Sequence, residues 1–377
     1  MTRPYNLSAG PAILPPEVFE RTAAAVRELA LPGDDALESK LSILEISHRS
    51  KTFERIHFGA IALCHDVLGI PRTHKVLFLQ GGASTQFAMV PMNLRQRSKA
   101  CCYIDTGVWS KKAIAESKLL GETRVVASAA STDGGVGYDH IPALPDAATY
   151  RDGSYLHVTS NNTIYGTEWE QLPAIEGVPL VVDLSSNIGS RPMGIEHVAM
   201  GYAGAQKNLG PSGVTLAFLH EDLLAREPDG VVPTMLRYTT HAKEDSLYNT
   251  PNTFGILVLL HVLEWMRDHG GVEGVGAVNQ RKADKLYALL DGSALYRPHA
   301  KPGSRSRMNV TWTLDGKDDA ERDARTKKFL AAAEAAGFSG LKGHRLVGGC
   351  RASIYNAFPE AGVDALVAFM REFERVS

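Results

Sequence analysis

Between residues 76 and 219 the chain repeats one pattern, in which short apolar runs alternate with turns of small residues and helix-length stretches. Apolar runs at 76–79, 100–104, 124–127, 155–158, 180–183 and 214–219 predict strands. The stretches 84–94 and 109–120 predict helices, the second closed by Gly121. Strands without polar alternation have both faces covered, and strands separated by helices pair in parallel. This pattern predicts an α/β protein built on a largely parallel sheet with helices on both sides.

The flanking regions extend this plan. Pro15 and Pro16 suit the first turn of a helix over 15–31, broken by Gly33-Asp-Asp35. A second amphipathic helix over 51–68 is closed by Gly69-Ile-Pro71. A long apolar helix over 254–267 ends at His269-Gly-Gly271, where a domain boundary is expected. Helix 278–290, strand 307–312, helix 320–336, strand 352–356 and helix 363–375 then suit a smaller α+β domain. The 377 residues thus divide into an N-terminal segment (1–15), a large domain (16–268) and a small C-terminal domain (269–377).

Composition narrows the function. A net charge of −2 gives no footprint for nucleic acid or a membrane surface. The basic clusters at 95–99 and 325–328 read as solvated faces. The N-terminus lacks the apolar core of a signal peptide, and the longest apolar run, 254–260, is far too short to span a bilayer. Four cysteines without a C-x-x-C pair suggest neither a disulfide framework nor a zinc site. A cytoplasmic, metal-free protein is expected.

One lysine stands apart. Lys207 lies in Ala203-Gly-Ala-Gln-Lys-Asn-Leu-Gly-Pro-Ser-Gly213, with no other Lys, Arg, Asp or Glu between Glu196 and Glu221. Desolvation there disfavours the ammonium form and frees a nucleophilic amine, as Schiff-base chemistry with an aldehyde requires. Asp183 ends the apolar run 180–183, at the edge where open α/β sheets place ligands. A lone aspartate there is more often a cap. Paired with Lys207 it suits pyridoxal phosphate, which needs a lysine for its aldehyde and a carboxylate for its pyridine nitrogen.

Other stretches gather at the same edge. Gln80-Gly-Gly-Ala-Ser84, between strand and helix, suits a phosphate cup or a plain junction, and matches neither G-x-G-x-x-G nor a P-loop. Trp109 is placed to cover a planar ring or to pack in a core. Ser160-Asn-Asn-Thr163 offers hydroxyl and amide groups, and Tyr248-Asn-Thr-Pro251 binds a phosphate or caps its own helix. The pairs His48-Arg49 and His344-Arg345, with Arg351, suggest a substrate with more than one anionic group.

With these pieces the sequence closely resembles the phosphoserine aminotransferase family of class V, fold-type I pyridoxal-phosphate transaminases. The stretches that carry the resemblance are Ser8-Ala-Gly-Pro11, Ser47-His-Arg49, Gly81-Gly-Ala-Ser84, Gly201-Tyr-Ala-Gly-Ala-Gln-Lys-Asn-Leu-Gly-Pro211, Tyr248-Asn-Thr-Pro251, Ser306-Arg-Met-Asn-Val310, Lys342-Gly-His-Arg345 and Arg351-Ala-Ser-Ile-Tyr-Asn356. The resemblance implies that Lys207 binds the cofactor aldehyde, Asp183 pairs with the pyridine nitrogen, Trp109 stacks on the ring and Thr163 bonds its hydroxyl. The cofactor phosphate would be held by the Ala83–Ser84 backbone and Gln206, with Asn249 and Thr250 given by a second subunit. The active site would then belong to a homodimer, with the segment 1–15 beside it. His48, Arg49, His344 and Arg345 would receive the substrate phosphate or the glutamate side-chain carboxylate, and Arg351 the α-carboxylate.

The implied reaction is reversible, from L-glutamate and 3-phosphohydroxypyruvate to 2-oxoglutarate and O-phospho-L-serine. It would serve serine synthesis and the related transamination of vitamin B6 synthesis, and run ping-pong with Lys207 as proton-transfer base. Family members with Ser in place of Ala9 and Arg in place of Ser84 carry side-chain roles that do not transfer here. The stretch 31–43 is longer than in compact members. The rival readings are another class V enzyme, such as an alanine–glyoxylate aminotransferase or a cysteine desulfurase using Cys350, and a non-catalytic pyridoxal-phosphate carrier.

Overall fold

The computed structural model describes residues 3–31, 33, 37–132 and 134–377. Its centre is a seven-stranded sheet of β1 (His74–Leu79), β2 (Cys101–Asp105), β3 (Thr123–Ser128), β4 (Tyr155–Thr159), β5 (Leu180–Asp183), β6 (Met200–Gly204) and β7 (Thr215–His220). The strand order is β1-β7-β6-β5-β4-β2-β3. Pairs β3–β2, β2–β4, β4–β5 and β5–β6 are parallel, while β7 runs antiparallel to both β6 and β1. The expected α/β class and largely parallel sheet are therefore present.

The apolar runs are apolar because each strand is covered twice. Along β1, Val76 and Phe78 enter one core while Leu77 and Leu79 enter another. The first core lies under α1 (Pro16–Arg27), α2 (Lys51–Leu68) and α5 (Thr253–Asp268), and the second under α3 (Gly82–Leu94) and α4 (Val108–Leu120). Helix α2 has its expected limits. Ser50 caps it by accepting the Phe53 N–H (3.1 Å), and Gly69 ends it with φ of 73°. Helix α1 is shorter than expected, turning extended at Glu28. Asp34 and Asp35, the expected breakers, lie outside the described residues, as do 32 and 36 within the stretch 31–43.

One strand escapes the apolar pattern and one expectation fails, each for a physical reason. Strand β6 is not legible as an apolar run, because glycines and an alanine replace branched residues over most of its length. It is buried by close approach instead. A Cβ on Gly201 would lie 2.2 Å from the Phe218 ring and 2.9 Å from Leu184. Gly201→Ala is therefore expected to destabilise the fold by about 1–3 kcal/mol through overpacking, read as a lower urea midpoint with unchanged slope. Arg95, read as part of a solvated face, is instead half-buried and donates to the carbonyls of Glu122 (2.6 Å) and Ser117 (2.9 Å).

The C-terminal part has its own antiparallel sheet of β8 (Tyr296–Pro298), β9 (Asn309–Leu314) and β10 (Cys350–Ser353). Helices α6 (Gly271–Gly292), α7 (Asp319–Ala335) and α8 (Glu360–Arg375) cover it, around a core that includes Trp312, Phe329, Leu366 and Phe373. Helix α6 starts well before the expected residue 278, since its glycine-rich first turns read as loop. Gly276 packs closely there: a Cβ would lie 3.1 Å from Arg191 Cα, so that backbone would have to give way slightly. Tyr5–Asn6 pairs in parallel with Phe338–Ser339, joining the N-terminal segment to this part of the chain. Among the described residues no helix is long and apolar enough to cross a membrane.

Candidate active site

Strands β1, β2, β4, β5 and β6 all end at one edge of the large sheet, and the segments leaving them close around a cavity of roughly 600 Å³. Gly82, Ala83 and Ser84 begin α3 after β1, and Val108 and Trp109 begin α4 after β2. Thr163 follows β4, Asp183 ends β5, and Gln206 and Lys207 follow β6. Strand end after strand end thus delivers one polar group to the same place, as a mostly parallel sheet allows.

Lys207 Nζ donates to Thr163 Oγ1 (3.0 Å) and lies 5.8 Å from the centre of the Trp109 ring. Desolvation brings the amine down to about 8; nearby Asp183 raises it and Arg351 lowers it further. Asp183 is buried, and burial pushes its carboxyl above the usual range. The Ser185 N–H (2.9 Å) and the charge on Lys207 oppose that shift. Thr163 also accepts Arg351 Nη1 at its carbonyl (3.4 Å). Desolvation lowers Arg351, its buried Nε has no partner, and the Thr163 carbonyl takes its one side-chain hydrogen bond among the described residues, so most of the guanidinium's donors are uncommitted. The N-terminal segment forms another wall: Ala9, Gly10 and Pro11 line the cavity, and the Ala12 N–H donates to the Gln206 carbonyl (2.8 Å). Tyr355 Oη holds the Ala9 carbonyl (2.8 Å).

Nine of the residues singled out in the sequence line this cavity: Lys207, Asp183, Ala83, Ser84, Trp109, Thr163, Gln206, His344 and Arg351. The other five do not. Asn249 lines a separate pocket beside Gly81, and the Thr250 carbonyl accepts Gln80 Nε2 (3.1 Å). Arg49 and Arg345 are exposed, and His48 is half-buried with its Nε2 unpartnered.

Some contributors escaped the sequence reading. Asp105 ends β2 as Asp183 ends β5, and could have been found by the same signal. Its carboxylate accepts Ser110 Oγ (2.9 Å), Tyr138 Oη (2.9 Å) and the Gly107 N–H (3.2 Å), fixing the start of α4 under Trp109. Lys112, one helical turn beyond Trp109, also lines the cavity. Asp183 is the one acid among the described lining residues, against Lys112, Lys207 and Arg351, so the cavity favours anions. A desulfurase needs a mobile cysteine, yet Cys350 is fully buried in β10 and burial raises its thiol far above the usual range.

The model of the class-V aminotransferases matches residues 4–366. A curated phosphoserine aminotransferase from Geobacillus kaustophilus is 50% identical over 376 residues, covering 100% of this chain and 99% of the relative. The solved phosphoserine aminotransferase from Bacillus circulans subsp. alkalophilus has a TM-score of 0.89 at 45% identity, covering 100% of this chain and 99% of that one. A PLP-bound phosphoserine aminotransferase from Trichomonas vaginalis has a TM-score of 0.88 at 36% identity, over 98% of this chain and 100% of that one. These likenesses make the α/β architecture that of the fold-type I aminotransferases. The chain belongs to the class-V aminotransferases and, within them, to the phosphoserine aminotransferase family.

Proposed function

We propose that this chain transfers the amino group of L-glutamate to 3-phosphohydroxypyruvate, giving 2-oxoglutarate and O-phospho-L-serine, with pyridoxal phosphate as cofactor. The observation that carries the reading is one cavity joining a lysine whose amine is lowered to about 8 to a buried aspartate at the sheet edge and to an arginine with an unsatisfied donor. The residues present fit the cofactor. The start of α3 offers backbone N–H groups at Gly82, Ala83 and Ser84, with open space where a Gly82 side chain would stand. When bound, pyridoxal phosphate supplies the aldehyde and the electron sink.

The chain's own residues supply the rest. Lys207 takes and returns a proton at its Nζ, and Thr163 orients that nitrogen. Asp183 would hold the pyridine nitrogen in its protonated form, and Trp109 would pack on the ring, both from positions lining the cavity. Gln206 adds to the phosphate cup. Arg351 takes the α-carboxylate and His344 the distal phosphate or carboxylate, with Arg345, His48 and Arg49, which do not line this chain's own cavity, as the further expected partners of that distal group. The N-terminal segment 1–15, the cofactor-binding part 16–268 and the smaller part 269–377 divide this work. The test is a spectrum of the purified protein mixed with glutamate and then with 3-phosphohydroxypyruvate, expected to switch the cofactor between two forms and back. Equal turnover of serine and phosphoserine would overturn the substrate assignment.

Asn249 and Thr250 do not line their own chain's cavity, which supports their service to a second copy in a homodimer. Inactive Lys207→Ala chains mixed with inactive Asn249→Ala/Thr250→Ala chains are expected to recover part of the activity, through hybrids holding one intact site. No recovery despite demonstrated subunit exchange would show that each site is built from one chain.

A further inference from the structure

Lys112 has no place in the functional reading so far. It is exposed at the cavity wall, and among the described residues it has no carboxylate partner. Its Nζ lies 4.8 Å from the centre of the Trp109 ring, three positions back on the same helical face. The adjacent Lys111 does not share this role, because its Nζ lies 4.9 Å from the Tyr138 ring. Helix α4 is a fixed base for the side chain. Ser110 Oγ accepts the Thr106 and Gly107 N–H groups (both 3.0 Å) and donates to buried Asp105. His344 and Arg351 line the same cavity as Lys112, and His344, lowered first by desolvation, is lowered further by the charges of Arg351, Arg345 and Lys112. Asp183, the one acid among the described residues lining that cavity, is engaged by Ser185 and Lys207.

We infer that Lys112 is a specificity-determining residue that favours a dianionic phosphate over a monoanionic carboxylate at the distal end of the substrate. This rests on the phosphoserine aminotransferase reading above. Arg351 has a planar fork suited to a carboxylate, whereas Lys112 is a compact point charge that acts on whatever charge lies nearby. A fixed cation attracts a doubly charged group with about twice the energy of a singly charged one. The affinity lost on removing it is therefore about squared for the phosphate. Because the side chain is exposed, the effect is screened by salt.

The test uses the cofactor-loaded protein and two unreactive probes, measured by calorimetry at low ionic strength. 3-Phosphoglycerate carries a carboxylate and a phosphate, glutarate carries two carboxylates, and neither has the amine or ketone needed to react. Lys112→Gln is expected to weaken 3-phosphoglycerate roughly tenfold and glutarate roughly threefold. Lys112→Arg should restore the ratio, and added salt should narrow the difference between Lys112→Gln and the unmutated protein. Equal loss for both probes, or no loss for either, overturns the inference. If the unmutated protein binds glutarate but not 3-phosphoglycerate, the substrate reading itself has failed, whatever Lys112 does.

Discussion

Replacing Lys207 by alanine is expected to lower transamination by roughly 10³-fold or more, since on the proposed reading one change removes both the covalent anchor and the proton carrier. The loss should appear equally with glutamate and with phosphoserine, because Lys207 stands at the reacting centre rather than at either substrate end. Borohydride reduction of the unmutated protein should place the cofactor label on the peptide holding Lys207, and a label on another lysine would sink the assignment. Burial lowers the amine from 10.5 to about 8, with the ammonium form below that value and the nucleophile above it. Capture of pyridoxal phosphate by cofactor-free protein should therefore accelerate as pH rises through about 8. A midpoint near 10.5 would mean that the cavity does not desolvate this lysine.

Arg351→Ala is expected to cost about 2–5 kcal/mol of transition-state binding in both half-reactions. The guanidinium is half-buried, its Nε lacks a partner, and one Nη already rests on the Thr163 carbonyl. On the proposed reading its ligand is the anion common to every substrate, the α-carboxylate. Arg351→Lys should recover only part of the loss, since an ammonium cannot form two parallel bonds to a carboxylate. Arg49→Ala or Arg345→Ala should instead weaken phosphorylated substrates most. Measuring kcat/KM separately for glutamate and phosphoserine decides the matter. A loss confined to phosphoserine would move Arg351 to the distal end of the substrate.

How much of this was legible in the sequence depended on what kind of packing buries each part. The strand ahead of Asp183 is made of Leu and Val, so its burial is written in the side chains themselves. Strand β6 is buried just as fully, but by Gly201 pressed against Phe218, and close approach leaves no apolar signature. The same holds for the glycine-rich start of α6. Lys207 and Asp183 could be read because each breaks an apolar or small-residue context. Lys112 could not, because a lysine in the exposed pattern of α4 looks like any solvated charge until Trp109 is placed beside it. Asn249 and Thr250 show a further limit: a short polar motif does not say which cavity it serves, and within one chain these two lie apart from the lysine.

The N-terminal wall of the cavity sets an order in time. Gly10 stands where an added Cβ would lie 3.6 Å from the Lys207 side chain, yet Tyr355, which holds the neighbouring Ala9 carbonyl, is 346 positions away. Tyr5 and Asn6 likewise wait for Phe338 and Ser339 before they have a strand to join. At ribosomal rates of about 5–20 residues per second, the first residues made spend roughly 20–70 s without these partners. The strand that ends in Asp183 and the turn that holds Lys207 emerge well before then. The lysine therefore acquires its last neighbours only when the C-terminal sheet is in place, and completing the pocket belongs to the finished polypeptide rather than to the growing one.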